Sequence, residues 1–239
     1  MGQGTYLMGM GDALWGGFSA FFSIWQLCIL QFSPFFLAFI VGLFFATPGK
    51  PAASGMFRAV IPPSLAWTLS FTLFYSLLIA SALNLSRPLI NNLGVLRVLA
   101  GILILLVGLF LLLASRLPAI GRLLRPATAV GLALVIGYSF ALMYSPCITP
   151  MLSDIMALAS QRPTVGEGWV LAFFYGLGTC LAMCVFSTAA IALLARWDAA
   201  RRNARLLSDV CAAVLFVLAL MNISGWMIYY KAFLLGLAL

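Results

Sequence analysis

One cysteine enclosed by two prolines is the feature of this sequence that most suggests chemistry. Residues 145–150 read Ser-Pro-Cys-Ile-Thr-Pro, so Cys147 lies between Pro146 and Pro150 inside an apolar run. Proline removes a backbone donor and interrupts a helix, which opens the backbone around the thiol to water or a partner. A nearby helix N-terminus would favour the thiolate, the form that attacks disulfides. The pattern predicts a redox or ligand role for Cys147, and simple packing of a small hydrophobic residue is the alternative.

Other cysteines could supply the second sulfur of a thiol pair. Cys180 and Cys184 are four residues apart in an apolar segment and would share one helix face. Cys28 lies in the first apolar run, while Cys211 is expected to serve packing. A disulfide requires two Cα atoms within about 7 Å of each other. Sequence cannot give that distance, so Cys28, Cys180 and Cys184 all remain candidate partners for Cys147.

Sulfur-bearing side chains also recur at helical spacing, which suggests a metal site as an alternative. Thiolates and thioethers are soft ligands that suit Cu(I), although methionine in helices more often fills gaps in apolar packing. The chain has no histidine, and we expect no resident cofactor. The residues of the alternative metal site are Met143, Cys147, Met151, Cys180, Met183 and Cys184.

The composition defines the elements that must position these residues. Hydrophobic residues make up 64% of the 239 positions and charged residues only 8%, too few charges for a water-soluble surface. Several apolar runs reach the roughly 20 residues that a membrane-spanning helix needs. The net charge of +8 is better explained by membrane topology than by nucleic acid, for which we find no motif.

The apolar runs predict an all-α integral membrane protein with six transmembrane helices in two inverted three-helix repeats. Residues 31–35 resemble residues 143–147, and in each half a proline is expected to break the first helix. Such repeats place functional sites near the membrane midplane. The first repeat, 1–126, has predicted spans at 13–46, 64–85 and 93–114, and the second, 127–239, has spans at 127–159, 169–194 and 206–230.

The segment 145–150 resembles the Pro-Cys-x-x-Pro signature of the CcdA/DsbD transmembrane family, the cytochrome c biogenesis protein transmembrane region. The glycine-containing run 94–113 is similar to the third helix of that family, and 175–178, Tyr-Gly-Leu-Gly, to its fifth. The resemblance implies one such cysteine on the first helix of each half. It also implies that the two cysteines cycle between dithiol and disulfide, passing reducing equivalents from cytoplasmic thioredoxin to a thioredoxin-like partner outside.

The first half departs from the pattern of that family. After Pro34, the position that matches Cys147 holds Phe35, and Ala38 replaces the second proline. The resemblance therefore predicts a divergent member that transfers reducing equivalents through Cys147, for cytochrome c maturation or extracytoplasmic disulfide reduction. A redox-inactive scaffold or assembly subunit of a membrane complex is one alternative, and a Cu(I) or soft-metal transporter is another.

The positive charges predict how the chain is oriented. The first, third and fifth loops hold nine of the thirteen basic residues, and such residues collect in the cytoplasm. This favours a multi-pass protein of a bacterial-type inner membrane, with both termini extracytoplasmic. The expected partners are lipid, thioredoxin-like proteins on one or both sides and further subunits of a membrane complex, and no nucleic acid.

Overall fold

The computed structural model describes residues 9–22, 27–46, 53–80, 91–121, 123–143, 150–197, 202–227, 229–230 and 232–233, which form helices joined by short turns, without a strand among them. Numbered along the chain, its helices are α1 (Met10–Phe22), α2 (Leu27–Ala46), α3 (Ala53–Ile79), α4 (Leu93–Arg116), α5 (Pro118–Gly121), α6 (Pro126–Met143), α7 (Pro150–Ser160), α8 (Val165–Arg196) and α9 (Ala204–Ser224). Among these, α3, α4, α8 and α9 contain stretches long and apolar enough to cross a membrane. The prediction of a helical membrane protein is confirmed at this level.

The first apolar run, predicted as one span over 13–46 with a break at Pro34, contains two described helices, and residues 23–26 between them lie outside the described part of the chain. Helix α1 ends at Phe22 and α2 begins at Leu27, and α2 then continues without interruption through Pro34. The predicted break at Pro34 is therefore wrong. A proline costs one backbone hydrogen bond, and packed neighbouring helices allow an apolar helix to tolerate that loss.

The second predicted span, 64–85, begins earlier than the prolines suggested. Helix α3 starts at Ala53, runs through Pro62 and Pro63, and ends at Ile79. These prolines were expected to lie in a loop, and that expectation is wrong for the same physical reason as at Pro34. Residues 81–85 lie outside the described part of the chain.

The later spans agree more closely with the predicted boundaries. Helices α4, α8 and α9 cover most of the predicted spans 93–114, 169–194 and 206–230. In the run 127–159 the structure describes α6, which ends at Met143, and α7, which begins at Pro150; the predicted break at residues 144–149 lies outside the described part of the chain. Proline is favoured at the first position of a helix, where its missing N–H costs nothing.

Small residues allow the helices that surround the site to pack closely. A Cβ on Gly17 of α1 would collide with the carbonyl oxygen of Tyr175, and a Cβ on Gly178 of α8 would collide with that of Leu14. The Thr179 hydroxyl also donates a hydrogen bond to the Gly17 carbonyl at 3.1 Å. Close backbone approach through small residues is typical of helix pairs in membranes, and here it fixes α1 against α8.

Polar contacts join α4 and α9 near both of their ends. Asn222 donates its amide N–H to the carbonyl oxygen of Arg97 at 2.9 Å. Near the other end, the Asp209 carboxylate accepts hydrogen bonds from the Ser115 hydroxyl and the Arg116 guanidinium. Between these contacts, apolar side chains of both helices remain exposed, which fits a surface that faces lipid.

Candidate functional site

The Cys147 segment joins two helices whose ends are fixed by packing. Residues 144–149, including Pro146 and Cys147, lie outside the described part of the chain, as does the side chain of Pro150. Before the segment, the Phe140 ring in the last turn of α6 packs against Trp67 of α3, with ring centroids 6.0 Å apart. After it, the Met151 side chain of α7 lies directly against Gly16 of α1.

Phe35, which the predicted repeat matches to Cys147, is a core residue. Its side chain is fully buried, and its ring meets Phe140 edge to face, with centroids 4.8 Å apart. Ala38 is also buried, while Pro34 is half-buried inside α2. An aromatic ring therefore occupies, beside the end of α6, the position that the family resemblance assigns to a first thiol.

The structure places the candidate partner thiols on two helices. Cys180 and Cys184 lie one turn apart on α8, where Cys180 is fully buried and Cys184 partly exposed. Cys28 lies in α2, but its side chain is outside the described residues. Cys211 is buried on α9, close to Gly42, so its predicted packing role fits. Cys180, Cys184 and Cys211 are free thiols.

Cys184 contacts one hydroxyl group and one backbone carbonyl oxygen on the neighbouring helix α3. Its sulfur lies 3.3 Å from the Thr68 hydroxyl oxygen, and either group can be the donor. The thiol also approaches the carbonyl oxygen of Ser64 at 3.9 Å. Ser64 and Thr68 are four residues apart, and two further buried hydroxyl residues follow on α3 at the same spacing of four. We call these four residues the hydroxyl row. It consists of Ser64, Thr68, Thr72 and Ser76.

Aromatic rings form a second row on α3, next to the hydroxyl row. Trp67, Phe71 and Tyr75 stack in sequence, with centroid separations of 5.3 Å for both pairs and nearly parallel ring planes. These rings and residues of α8 enclose a cavity of about 10 Å³, which is about the space of one water molecule. We call this region between α3 and α8 the seam. The cavity is lined by Trp67, Phe71, Tyr75, Tyr175, Gly176, Thr179 and Met183.

The sulfur residues of the alternative metal site are only partly described. Cys147 and the side chain of Met143 are outside the described residues, and Met151 packs against Gly16 of α1. Met183 is buried and lines the cavity of the seam. Among the described residues, no group of three or more His, Cys, Asp or Glu side chains could hold a metal ion.

Sequence reasoning missed the residues of α3 that face these thiols. Thr68 and Trp67 were assigned only to an apolar span, although hydroxyl residues recur every four positions from Ser64 to Ser76. That spacing, together with the aromatic residues at 67, 71 and 75, predicts two adjacent rows on one side of a helix. Only the packing of α8 shows that Cys184 contacts the hydroxyl row.

A comparison of the chain with family models, with curated proteins and with solved structures finds no match. The fold itself defines the class, which is an α-helical membrane protein with free thiols in its interior.

Proposed function

We propose that this chain is a CcdA-like membrane protein that transfers reducing equivalents across a bacterial-type inner membrane by thiol–disulfide exchange at Cys147. The observation that carries the proposal is the position of the Pro-Cys-Ile-Thr-Pro motif in the fourth predicted span, between α6, which ends at Met143, and α7, which begins at Pro150. Two prolines so close together in an apolar run predict an interrupted helix around Cys147. Interrupted helices are where membrane transporters place their functional groups.

The pairing of helices supports the six-span, two-repeat architecture that this function requires. In that architecture α1 and α2 form the first span, α6 and α7 the fourth, and α3, α4, α8 and α9 the others. If the two halves are exchanged, α1 takes the place of α6, and α8 takes the place of α3. The contact between α1 and α8 therefore corresponds to the contact between α6 and α3, and both contacts are extensive. At the level of whole spans, the same exchange relates the contact of the first span with α9, made by α2, to the contact of the fourth span with α4, made by α6. Helices α3 and α8 are equivalent in the two halves, and so are α4 and α9. The contact within each of these two pairs is therefore unchanged by the exchange.

The chemistry consists of two successive thiol–disulfide exchanges. The Cys147 thiolate attacks a disulfide of the outer thioredoxin-like partner, forms a mixed disulfide and releases the other partner sulfur as a thiolate. A second thiol of the membrane protein, as thiolate, attacks the Cys147 sulfur, which releases the reduced partner and leaves a membrane disulfide. Two electrons thus pass to the outer partner, and a cytoplasmic dithiol of the thioredoxin type restores the membrane pair.

Cys184 and Cys180 are the best-supported candidates for the second thiol. Helix α6, which precedes the Cys147 segment, packs on Trp67 of α3. The next residue of α3, Thr68, contacts Cys184. Helix α7, which follows the segment, packs along α8 itself. Both ends of the segment are therefore held beside the two helices that form the seam, which favours a partner thiol on α8.

Reconstitution into sealed vesicles tests the proposal. With a reduced thioredoxin-type protein inside and its oxidised counterpart outside, the unmodified chain should reduce the outer protein. Cys147→Ser should abolish this reduction, whereas Cys211→Ser, which changes a buried thiol on α9, should leave it unchanged. Equal reduction by the Cys147→Ser variant would overturn the proposal.

The burial of Phe35 favours a second candidate, a redox-inactive scaffold or assembly subunit. The ring of Phe35 is packed into the core against Phe140, so the first-half position has become structural. If the second half has followed the same course, Cys147→Ser should leave both outer-partner reduction and copurification with other membrane subunits unchanged. The vesicle experiment therefore separates the two candidates.

A further inference from the structure

One residue that lines the cavity in the seam has a polar donor without an acceptor among the described residues. Trp67 is only 1% exposed, it lines the cavity, and its indole N–H finds no acceptor among the described residues. Leaving such a buried donor unpaired costs free energy, because it loses its hydrogen bond to water on burial. Tyr75 and Thr179 add hydroxyl groups to the same lining. The cavity thus combines an N–H donor with groups that can accept or donate a hydrogen bond.

The size and charge of the cavity decide what it can bind. Its volume of about 10 Å³ fits one water molecule, and water in a protein interior needs two to four polar partners. No residue of the cavity lining carries a formal charge. A cation would therefore be buried without a counter-charge, which is costly inside a membrane protein. Water satisfies the indole N–H at no such cost.

We propose that the seam binds a water molecule held by the indole N–H of Trp67, and that this water exchanges protons with the Cys184 thiol across the Thr68 hydroxyl. Thr68 and Cys184 are each next in sequence to a residue of the cavity lining, Trp67 on α3 and Met183 on α8, so the backbone on both helices holds their contact within one residue of the cavity. The proposal concerns the described residues of the seam alone. It goes beyond redox transfer through Cys147 and holds whether or not that transfer occurs.

Exchange of the thiol proton in heavy water measures this access directly. In D₂O the thiol proton leaves as HOD and a deuteron replaces it, so only the S–H bond changes and no electrons move. The infrared S–H band of Cys184 is assigned in the full-length chain as the band that Cys184→Ala removes. The band of Cys211, a buried thiol on α9, is assigned in the same way. The Cys184 band should disappear clearly faster than the Cys211 band.

Substitutions in the seam show whether the bound water is responsible. Trp67→Phe keeps a ring but removes the N–H, and should slow exchange at Cys184 by about tenfold, the factor for losing one hydrogen bond of roughly 1.4 kcal/mol. Trp169→Phe is the matched control, because Trp169 also has a buried indole N–H without an acceptor among the described residues but does not line the cavity. Exchange at Cys184 should be unchanged in this control.

Thr68→Val provides a second variant if Trp67→Phe does not fold, because it removes the hydroxyl with little change of shape. It should slow exchange at Cys184 by a similar factor. Exchange at Cys184 that is as slow as at Cys211 in the unmodified chain would overturn the proposal. So would an exchange rate that neither Trp67→Phe nor Thr68→Val changes.

Discussion

At the residue scale, the contact between Thr68 and Cys184 is a polar interaction that links the thiol-bearing helix α8 to α3. The two atoms are 3.3 Å apart in a part-buried position. Interhelical hydrogen bonds in membrane proteins contribute about 0.6 kcal/mol on average, and about 1.7 kcal/mol at most. The contact therefore orients the thiol more than it stabilises the fold.

Removing the Thr68 hydroxyl should have a small, measurable effect on stability. We expect Thr68→Val to lower the free energy of unfolding by roughly 0.6 kcal/mol, measured by denaturant titration in bicelles or detergent. Thr68→Ser keeps a hydroxyl and should lie closer to the unmodified protein. A loss for Thr68→Ser equal to that for Thr68→Val would show that the methyl group, not the hydrogen bond, is important at this position.

At the element scale, the position of α1 against α8 depends on two glycines. A Cβ on Gly17 or on Gly178 would meet backbone atoms of the opposite helix, and backbone cannot move aside as a flexible side chain can. Helix α1 also contacts α7 through Gly16 and Met151. Separation of α1 from α8 would therefore disturb the support of the Cys147 segment.

Substitution of these glycines should destabilise the bundle. We expect Gly178→Ala to lower the free energy of unfolding by about 1–3 kcal/mol, the usual cost of overpacking, and to reduce transfer activity. Gly131→Ala is the control, because a Cβ at Gly131 of α6 meets no atom within 4 Å. Thermal unfolding in detergent would compare them, and equal stability of the two variants would contradict the close-packing argument.

Sequence predicted some helices much better than others, and proline explains most of the difference. The apolar run of α4 lacks internal prolines, and its boundaries were predicted within two residues. At Pro34, Pro62 and Pro63 the sequence predicted breaks or loops, yet the helices continue. A proline alone does not show whether neighbouring helices compensate for the lost hydrogen bond. The Thr68–Cys184 contact was not predicted because it also depends on helix packing. No local sequence pattern indicates which helix packs against the hydroxyl row.

At the scale of the whole molecule, the exposed apolar faces of α4 and α9 define the chain as a membrane protein. Leu106 is 52% exposed and Val217 is 53% exposed, in the middle of helices long enough to span. The basic residues lie mainly in the first, third and fifth predicted loops, which we assign to the cytoplasm. This prediction sets which loops a cytoplasmic partner would meet and which an outer partner would meet.

Labelling from one side of the membrane tests this orientation. Arg125 and Arg162 are both exposed, in the third and fourth predicted loops. An impermeant maleimide should label Arg162→Cys in intact cells and Arg125→Cys only after permeabilisation, with the unsubstituted chain giving the background from native thiols. The reverse pattern would show that the predicted orientation is wrong.

The most direct test of the central claim is the redox state of Cys147 in native membranes. Acid quenching followed by alkylation and mass spectrometry would show whether its sulfur is free or bonded to another sulfur. We predict that a fraction of Cys147 is disulfide-bonded, to a partner protein or to a cysteine of α8, and that this fraction falls when cytoplasmic reductant is supplied. A Cys147 that remains a free thiol under both oxidising and reducing conditions would contradict the account.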